Sequence, residues 1–253
     1  MAGNTILVTG GASGLGAGCV EMFASNGWNV TIADLDDDAG ERTVTKIGDS
    51  ACFYKTDVTD SASVQSAINQ TIDRFGELRA VVSCAGVLGA SRVLGREGPH
   101  NLGLFEQVIR VNLTGTFNVL RLAVEAMAGN SKSAEGERGV IINTASVAAF
   151  EGQVGQAAYA ASKGGIASMT LPIARELAGL GIRVVAIAPG VFLTPMMRAA
   201  PEKVLRSLEQ QTVFPQRLGE AAEFAALAKH IVENPMLNGT VIRLDGAIRM
   251  SSK

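Results

Sequence analysis

No run of five or six like charges occurs in the 253-residue sequence, and 22 Lys and Arg against 24 Asp and Glu leave a net charge of −2. A basic nucleic-acid patch and an acidic tail are thereby excluded. Cysteine is scarce: Cys19, Cys52 and Cys84 are odd in number, sit in apolar stretches and lack metal-ligand spacing. That argues against a disulfide framework or a metal centre and suits buried thiols in a reducing compartment. No uninterrupted apolar stretch reaches membrane-spanning length. The start, Met1-Ala2-Gly3-Asn4, leads within a few residues into the apolar run Thr5–Thr9, leaving no room for a signal peptide. The expectation is a cytoplasmic protein that binds neither nucleic acid nor membrane. There is also no repeat, low-complexity linker or break in composition, so residues 1–253 are read as a single domain.

What is present is 47% hydrophobic residues, enough to bury a sizeable core. Seven short β-rich runs recur: Thr5–Val8, Asn29–Ala33, Ala51–Tyr54, Ala80–Ser83, Gly139–Asn143, Arg183–Ile187 and Thr240–Leu244. Between them, Gly14–Asn26, Ser61–Phe75, Phe105–Ala128, Ala157–Leu180 and Glu220–Glu233 show helical periodicity. Continuous apolar strands alternating with helices predict an α/β fold, a parallel sheet covered on both faces. Leu88–Gly103, rich in glycine, and the polar Gly129–Gly139 read as loops, the second a surface excursion without a site.

Two motifs carry chemistry. In Tyr159-Ala-Ala-Ser-Lys163 the i,i+4 spacing on a helix puts phenol and ammonium on one face, where the positive charge favours the phenolate. Ser146 lies thirteen residues upstream and could hold a substrate oxygen while Tyr159 exchanges a proton with it. The second motif is Thr9-Gly10-Gly11-Ala12-Ser13-Gly14-Leu15-Gly16, which follows the first strand and opens the first helix. Glycines there let a pyrophosphate approach backbone N–H groups at the helix N-terminus. Asp34 ends the second strand eighteen residues after Gly16, where a carboxylate accepts hydrogen bonds from both adenosine ribose hydroxyls. It would repel a 2′-phosphate, and neither Ser13 nor Leu35 is basic, so NAD is expected rather than NADP.

Thr9-Gly10-x-x-x-Gly14-x-Gly16, Asp57-Val58, Asn112, Ser146, Tyr159, Lys163 and Pro189-Gly190 follow one another over the whole chain as in the short-chain dehydrogenase/reductase family. The stretches Gly139–Tyr159, Met169–Arg175 and Val241–Met250, with Asn238-Gly239, resemble more closely the type-2 short-chain 3-hydroxyacyl-CoA dehydrogenases. The resemblance implies a single Rossmann-like, doubly wound domain with a seven-stranded parallel sheet. Its dinucleotide part would span about residues 1–145 and its catalytic and substrate part about 146–253. It implies Tyr159 as general base in oxidation, Lys163 as holder of the nicotinamide ribose that lowers the Tyr159 pKa, Ser146 as holder of the reacting oxygen, and Asn112 as organiser of a relay water. Read alone, Asn112 is a helix-surface amide and Asp57 a strand-end cap. By resemblance Gly10, Ser13, Gly14, Leu15 and Gly16 meet the dinucleotide, Asp57 and Val58 flank its adenine, and Pro189, Gly190 and Thr194 border its nicotinamide. Ser83, Cys84, Ala85 and Gly86 stand where most members have Asn-Asn-Ala-Gly, so both amides are gone; Ala85 and Gly86 leave the backbone room near a ribose, and Cys84 reads as buried packing.

Substrate contacts are expected from Ser146 and Tyr159 with Gln153 and Gln156 between them, and from an apolar lid drawn from Phe192, Leu193, Met196, Met197, Val204, Leu205, Val213 and Phe214. The expected substrate is an acyl-CoA thioester, interconverted between 3-hydroxy and 3-oxo forms. Arg92, Arg96 and His100, or Arg198 and Lys203, could meet CoA phosphates or form a solvated face. A hydroxysteroid or other secondary-alcohol dehydrogenase and a cofactor-bound scaffold are the alternatives. The resemblance further implies a homotetramer built on the two long helices and the C-terminal strand.

Overall fold

The structure is a computed structural model that describes residues 4–198 and 201–252. Among the described residues, seven strands form one sheet in the order β3-β2-β1-β4-β7-β8-β9. They are β1 (Thr5–Thr9), β2 (Asn29–Asp34), β3 (Ala51–Lys55), β4 (Leu78–Ser83), β7 (Gly139–Thr144), β8 (Ile182–Pro189) and β9 (Val241–Leu244). Every neighbouring pair is parallel, and the sheet takes strands from both sides of residues 145 and 146. The expected α/β architecture is thus observed.

Parallel strands must be covered on both faces, and the side-chain period of two divides each strand between them. Ile6 and Val8 of β1 point into one core with Cys19, Val20 and Phe23 of α1 (Gly14–Ser25) and Phe224, Ala225 and Ile231 of α9 (Ala221–Glu233). Leu7, between them, points into the other, with Ile68 of α3 (Ser61–Phe75), Val119 and Met127 of α5 (Thr116–Ala128) and Leu177 of α6 (Ala157–Leu177). Burying each such side chain contributes roughly 1.5–3 kcal/mol, so the two cores hold the layers in register.

Several elements differ from the periodicity reading. The helix expected from Phe105 begins earlier, as α4 (Leu102–Ile109) capped by Asn101, and passes through π-helical Arg110–Gly115 before continuing as α5. Helix α2 (Asp37–Ile47) is mostly exposed and charged, which hides it from an apolar-stripe search. The Leu88–Gly103 loop contains a small hairpin, β5 (Leu94–Gly95) with β6 (Gly98–Pro99). The polar excursion also carries a structural anchor: Glu137 pairs at 2.5 Å with the buried Arg183 of β8. Arg183 further donates to the carbonyls of Ile231, Val232, Asn234 and Leu237 at the end of α9, closing a helix terminus whose carbonyls lack helical partners.

Candidate active site

β1 and β4 are adjacent, but their connections leave in opposite directions, so their C-terminal ends splay open a crevice where ligands bind in such sheets. Gly10 follows β1 and Cys84 follows β4; the Cys84 N–H donates to Thr9 O at 3.0 Å and Gly10 N–H to Ala33 O at 2.9 Å. A cleft of about 680 Å³ starts there. It is lined by Gly10, Ser13, Gly14, Leu15, Gly16, Asp34, Asp57, Val58, Cys84, Ala85, Gly86, Ser146, Gln153, Gln156, Tyr159, Lys163, Pro189, Gly190 and Thr194. Apart from Asn112, every catalytic and cofactor residue expected from the sequence, with Gln153 and Gln156, is therefore brought to one cavity.

The glycine loop is shaped for close approach. A Cβ on Gly16 would stand 2.1 Å from the Gly10 carbonyl oxygen, and one on Gly10, whose φ is +64°, 2.7 Å from Ala85 N. Only hydrogen fits at these positions, which leaves the N-terminus of α1 bare toward the cleft. Asp34 is aimed by the backbone: Ala12 N–H donates to Oδ2 at 2.9 Å and Leu35 N–H to Oδ1 at 2.7 Å. A carboxylate fixed beside a bare helix N-terminus fits a dinucleotide with free ribose hydroxyls. Asp57 Oδ1 accepts from both Thr59 N–H and Thr59 Oγ1 at 2.8 Å, so its carboxylate also fixes the turn after β3.

The reactive group is assembled at the other end. Ser146 opens a single turn at Val147–Ala149 and accepts from Ala148 N–H at 3.1 Å. Its hydroxyl lies close enough to the Tyr159 phenol to pull the phenol pKa down. Lys163 is buried and donates to Thr144 O at 2.7 Å, with Nζ 5.8 Å from the Tyr159 ring centre. Burial raises the Tyr159 phenol above its usual value, opposed by the Ser146 hydroxyl. Burial also lowers Lys163 to about 8. Desolvation is thus the dominant influence on both groups in the structure.

Asn112 is a correction to the residue-by-residue reading: it is 0% exposed, not a surface amide. It occupies the π-helical segment, a distortion that often accompanies functional positions. Its Oδ1 accepts from Val87 N–H at 2.8 Å, while Nδ2 donates to Val87 O at 2.9 Å and to Ser162 Oγ at 3.2 Å. Ser162 Oγ donates in turn to Tyr159 O at 2.7 Å. Both amide hydrogens are used in bracing the segment after β4 against the Tyr159 helix, which leaves relay-water ordering to oxygens. Cys84 is a second correction, since it is only partly buried and faces the cleft. A hydrogen bond with Cys19 lowers its thiol below the usual range, assisted by Thr144 and the Lys163 charge.

The apolar lid is formed only in part. Phe192, Met197 and Leu208 line the cleft; Met197 lies on α7 (Pro195–Arg198) and Leu208 on α8 (Glu202–Gln211). Val204, Val213 and Phe214 are exposed, the last at 81%, and the Met196 side chain lies outside the described residues. Sequence reasoning missed the Thr144 carbonyl, which has no side-chain signature, and Met250, which reaches the cleft only through the C-terminal return. That return is held where Ser251 O accepts from Gln153 Nε2 at 3.1 Å and Ser252 O from Val154 N–H at 3.1 Å. Among the described residues there is no cluster of metal-binding side chains, and no helix is long and apolar enough to cross a membrane.

The family model described as short chain dehydrogenase matches residues 4–205, and the chain belongs to that family of oxidoreductases. It is 52% identical over 250 residues to 3-hydroxyacyl-CoA dehydrogenase type-2 of Homo sapiens, covering 98% of this chain and 96% of that one. The crystal structure of 3-hydroxyacyl-CoA dehydrogenase type-2 from Mycobacterium avium superposes with a TM-score of 0.96 at 41% identity, covering 99% of this chain and 98% of the other. That of 3-ketoacyl-(acyl-carrier-protein) reductase from Brucella melitensis, complexed with NADH, superposes at 0.86 with 27% identity, covering 98% and 99%. The cofactor class is accordingly a nicotinamide dinucleotide.

Proposed function

We propose that the chain interconverts 3-hydroxyacyl-CoA and 3-oxoacyl-CoA with NAD. The observation that carries this reading is the Ser146–Tyr159–Lys163 constellation at the mouth of a cleft whose far end is built for a dinucleotide, in a chain 52% identical to a protein named for that reaction. When bound, the dinucleotide takes up or supplies the hydride at the nicotinamide carbon.

The side chains of this protein do the rest. Ser146 Oγ and the Tyr159 hydroxyl hold the substrate oxygen between them. In oxidation Tyr159 removes the hydroxyl proton as the carbonyl forms; in reduction it returns the proton to the developing alkoxide. Burial holds the phenol above its usual value, so in reduction Tyr159 keeps its proton at neutral pH until the substrate oxygen takes it. Lys163, tied to Thr144 O and lining the cleft, keeps two N–H bonds with which to hold the ribose. Asn112 keeps the Tyr159 helix at a fixed distance from Val87. Asp34, followed by Leu35 and Asp36 with no cation, favours NAD over its 2′-phosphorylated form.

Gln153 and Gln156 border the substrate mouth, and Phe192, Met197 and Leu208 supply an apolar wall for the acyl chain. The exposed apolar residues Leu102, Phe117 and Leu171 on α4, α5 and α6 suit cover by neighbouring copies in a homotetramer. Initial rates with acetoacetyl-CoA, a hydroxysteroid and a simple secondary alcohol separate this reading from its alternative: preferred thioester turnover supports it, and alcohol turnover without thioester turnover overturns it.

A further inference from the structure

We propose that Cys84 is a peroxide-modification site with Cys19 as its resolving partner. Peroxide entering the empty cleft oxidises Cys84, Cys19 closes a disulfide onto it, and dinucleotide binding is reversibly weakened.

The fold sets the two cysteines on either side of the glycine loop. Cys84 follows β4 and is fixed to β1 where its N–H donates to Thr9 O at 3.0 Å. A Cβ on Gly10 would stand 2.9 Å from the Cys84 carbonyl carbon, and one on Gly16 2.1 Å from Gly10 O. Gly10 is therefore clasped between Cys84 and the first turn of α1. Cys19 comes three residues after Gly16 and shares its helix face. That face turns inward, since Gly16 and Cys19 are both buried, and Cys84 packs against the core that holds Cys19, Val82 and Phe192. Cys84 lines the cleft, whereas Cys19 is 0% exposed behind it. A small oxidant in the cleft thus meets Cys84 first.

The surroundings divide the two roles. The thiolate, not the thiol, attacks a peroxide. Cys19 lies close enough to Cys84 to pull its thiol below the usual range, helped by Thr144, whose Oγ1 donates to Cys84 Sγ at 3.6 Å, and by the Lys163 charge. The same contact pushes Cys19 up, and burial adds to it, so Cys19 keeps its proton until Cys84 has reacted. Cys52 is an internal control: it is buried on β3, shares a hydrogen bond with Thr31 Oγ1 at 3.2 Å, and burial raises its thiol.

Hydrogen peroxide is the one co-reactant. The Cys84 thiolate attacks it, an S–O bond forms as the O–O bond breaks, and the departing hydroxide takes a proton from solvent to become water. The Cys19 sulfur then attacks the Cys84 sulfenic acid: an S–S bond forms, the S–O bond breaks, and hydroxide leaves with the Cys19 proton as water. The two thiols have lost the electron pair that the peroxide gained, and a dithiol reductant reverses the change. The new bond draws Cys84 toward α1. The clasp around Gly10 leaves no slack for that, so Ala85 and Gly86, which line the cleft, must shift.

To test this, the protein free of dinucleotide is treated with hydrogen peroxide, digested without reduction and read by mass spectrometry, with NADH affinity followed by fluorescence. We expect a peptide pair joining Cys19 to Cys84, Cys52 still free, and NADH affinity lowered about 10-fold and restored by dithiothreitol. NADH at about 10 times its Kd should slow the cross-link about 10-fold by filling the cleft. Cys19→Ala should bind NADH as the wild type does, yet carry Cys84 on to a sulfinic acid that dithiothreitol does not reverse. Wild-type Cys84 that reaches sulfinic acid without joining Cys19, a cross-link through Cys52, or a Cys19–Cys84 bond that leaves NADH affinity unchanged overturns the proposal. Each of these outcomes is independent of the acyl-CoA reading, which thioester turnover by the reduced protein tests.

Discussion

Replacing Lys163 by Met changes the dependence of stability on pH in a way that can be worked out from the site. In the fold the Lys163 ammonium is desolvated and its pKa falls from 10.5 to about 8. Between those values the unfolded chain holds a proton that the folded chain has released, so wild-type stability rises with pH across the window and is flat below it. The shift of about 2.5 units amounts to roughly 3 kcal/mol, of which about 2 kcal/mol is recovered by pH 9.5. Below pH 8 the wild type carries the full cost. The variant escapes it but leaves Thr144 O without its 2.7 Å donor, a loss of about 1–2 kcal/mol. Without added dinucleotide, the inactive variant should therefore be the more stable protein by about 1–2 kcal/mol at pH 7. Its advantage should vanish near pH 9.5. Urea denaturation of both proteins at pH 7, 8.5 and 9.5 measures this. A stability difference constant to within about 0.5 kcal/mol would refute the claim that Lys163 is held charged against its desolvation.

Other consequences follow from particular contacts. Arg183→Met should cost about 3–5 kcal/mol by stranding Glu137 and the carbonyls at the end of α9, and a loss below about 1 kcal/mol in urea denaturation would contradict that role. Asp34→Asn should raise KM for NADH about 10-fold with little change in kcat, because one charged acceptor is lost; a wild type that prefers NADPH would overturn the cofactor assignment. Asn112→Ala should lower kcat by 10-fold or more while the fold is retained, since the Tyr159 helix loses its brace to Val87; unchanged turnover would show the brace to be irrelevant.

The sequence was most legible where chemistry and local geometry coincide. Strands such as Thr5–Thr9 and Gly139–Thr144 are apolar because both faces are covered, so their existence and order could be read directly. Gly10 and Gly16 could be read because their backbone contacts admit no side chain. Asn112 was legible as a family position but not as a buried brace, because its partners Val87 and Ser162 are 25 and 50 residues away. The hairpin at Leu94–Pro99 was hidden by glycines and exposed side chains that carry no period. Outward-facing Phe214 shows the limit of hydrophobicity as a guide: an apolar residue near a site need not face it. Cys84 shows the converse, a small apolar-looking residue that lines the cleft.

The central claim is that Tyr159 moves the proton in a dinucleotide-dependent reduction of a 3-oxoacyl thioester. NADH consumption with acetoacetyl-CoA, followed at pH 7 for the wild type and Tyr159→Phe with NADH binding measured in parallel, tests it most directly. The account predicts that Tyr159→Phe loses at least 10³-fold in kcat while NADH affinity changes less than about 3-fold. Turnover by Tyr159→Phe at the wild-type rate would contradict it.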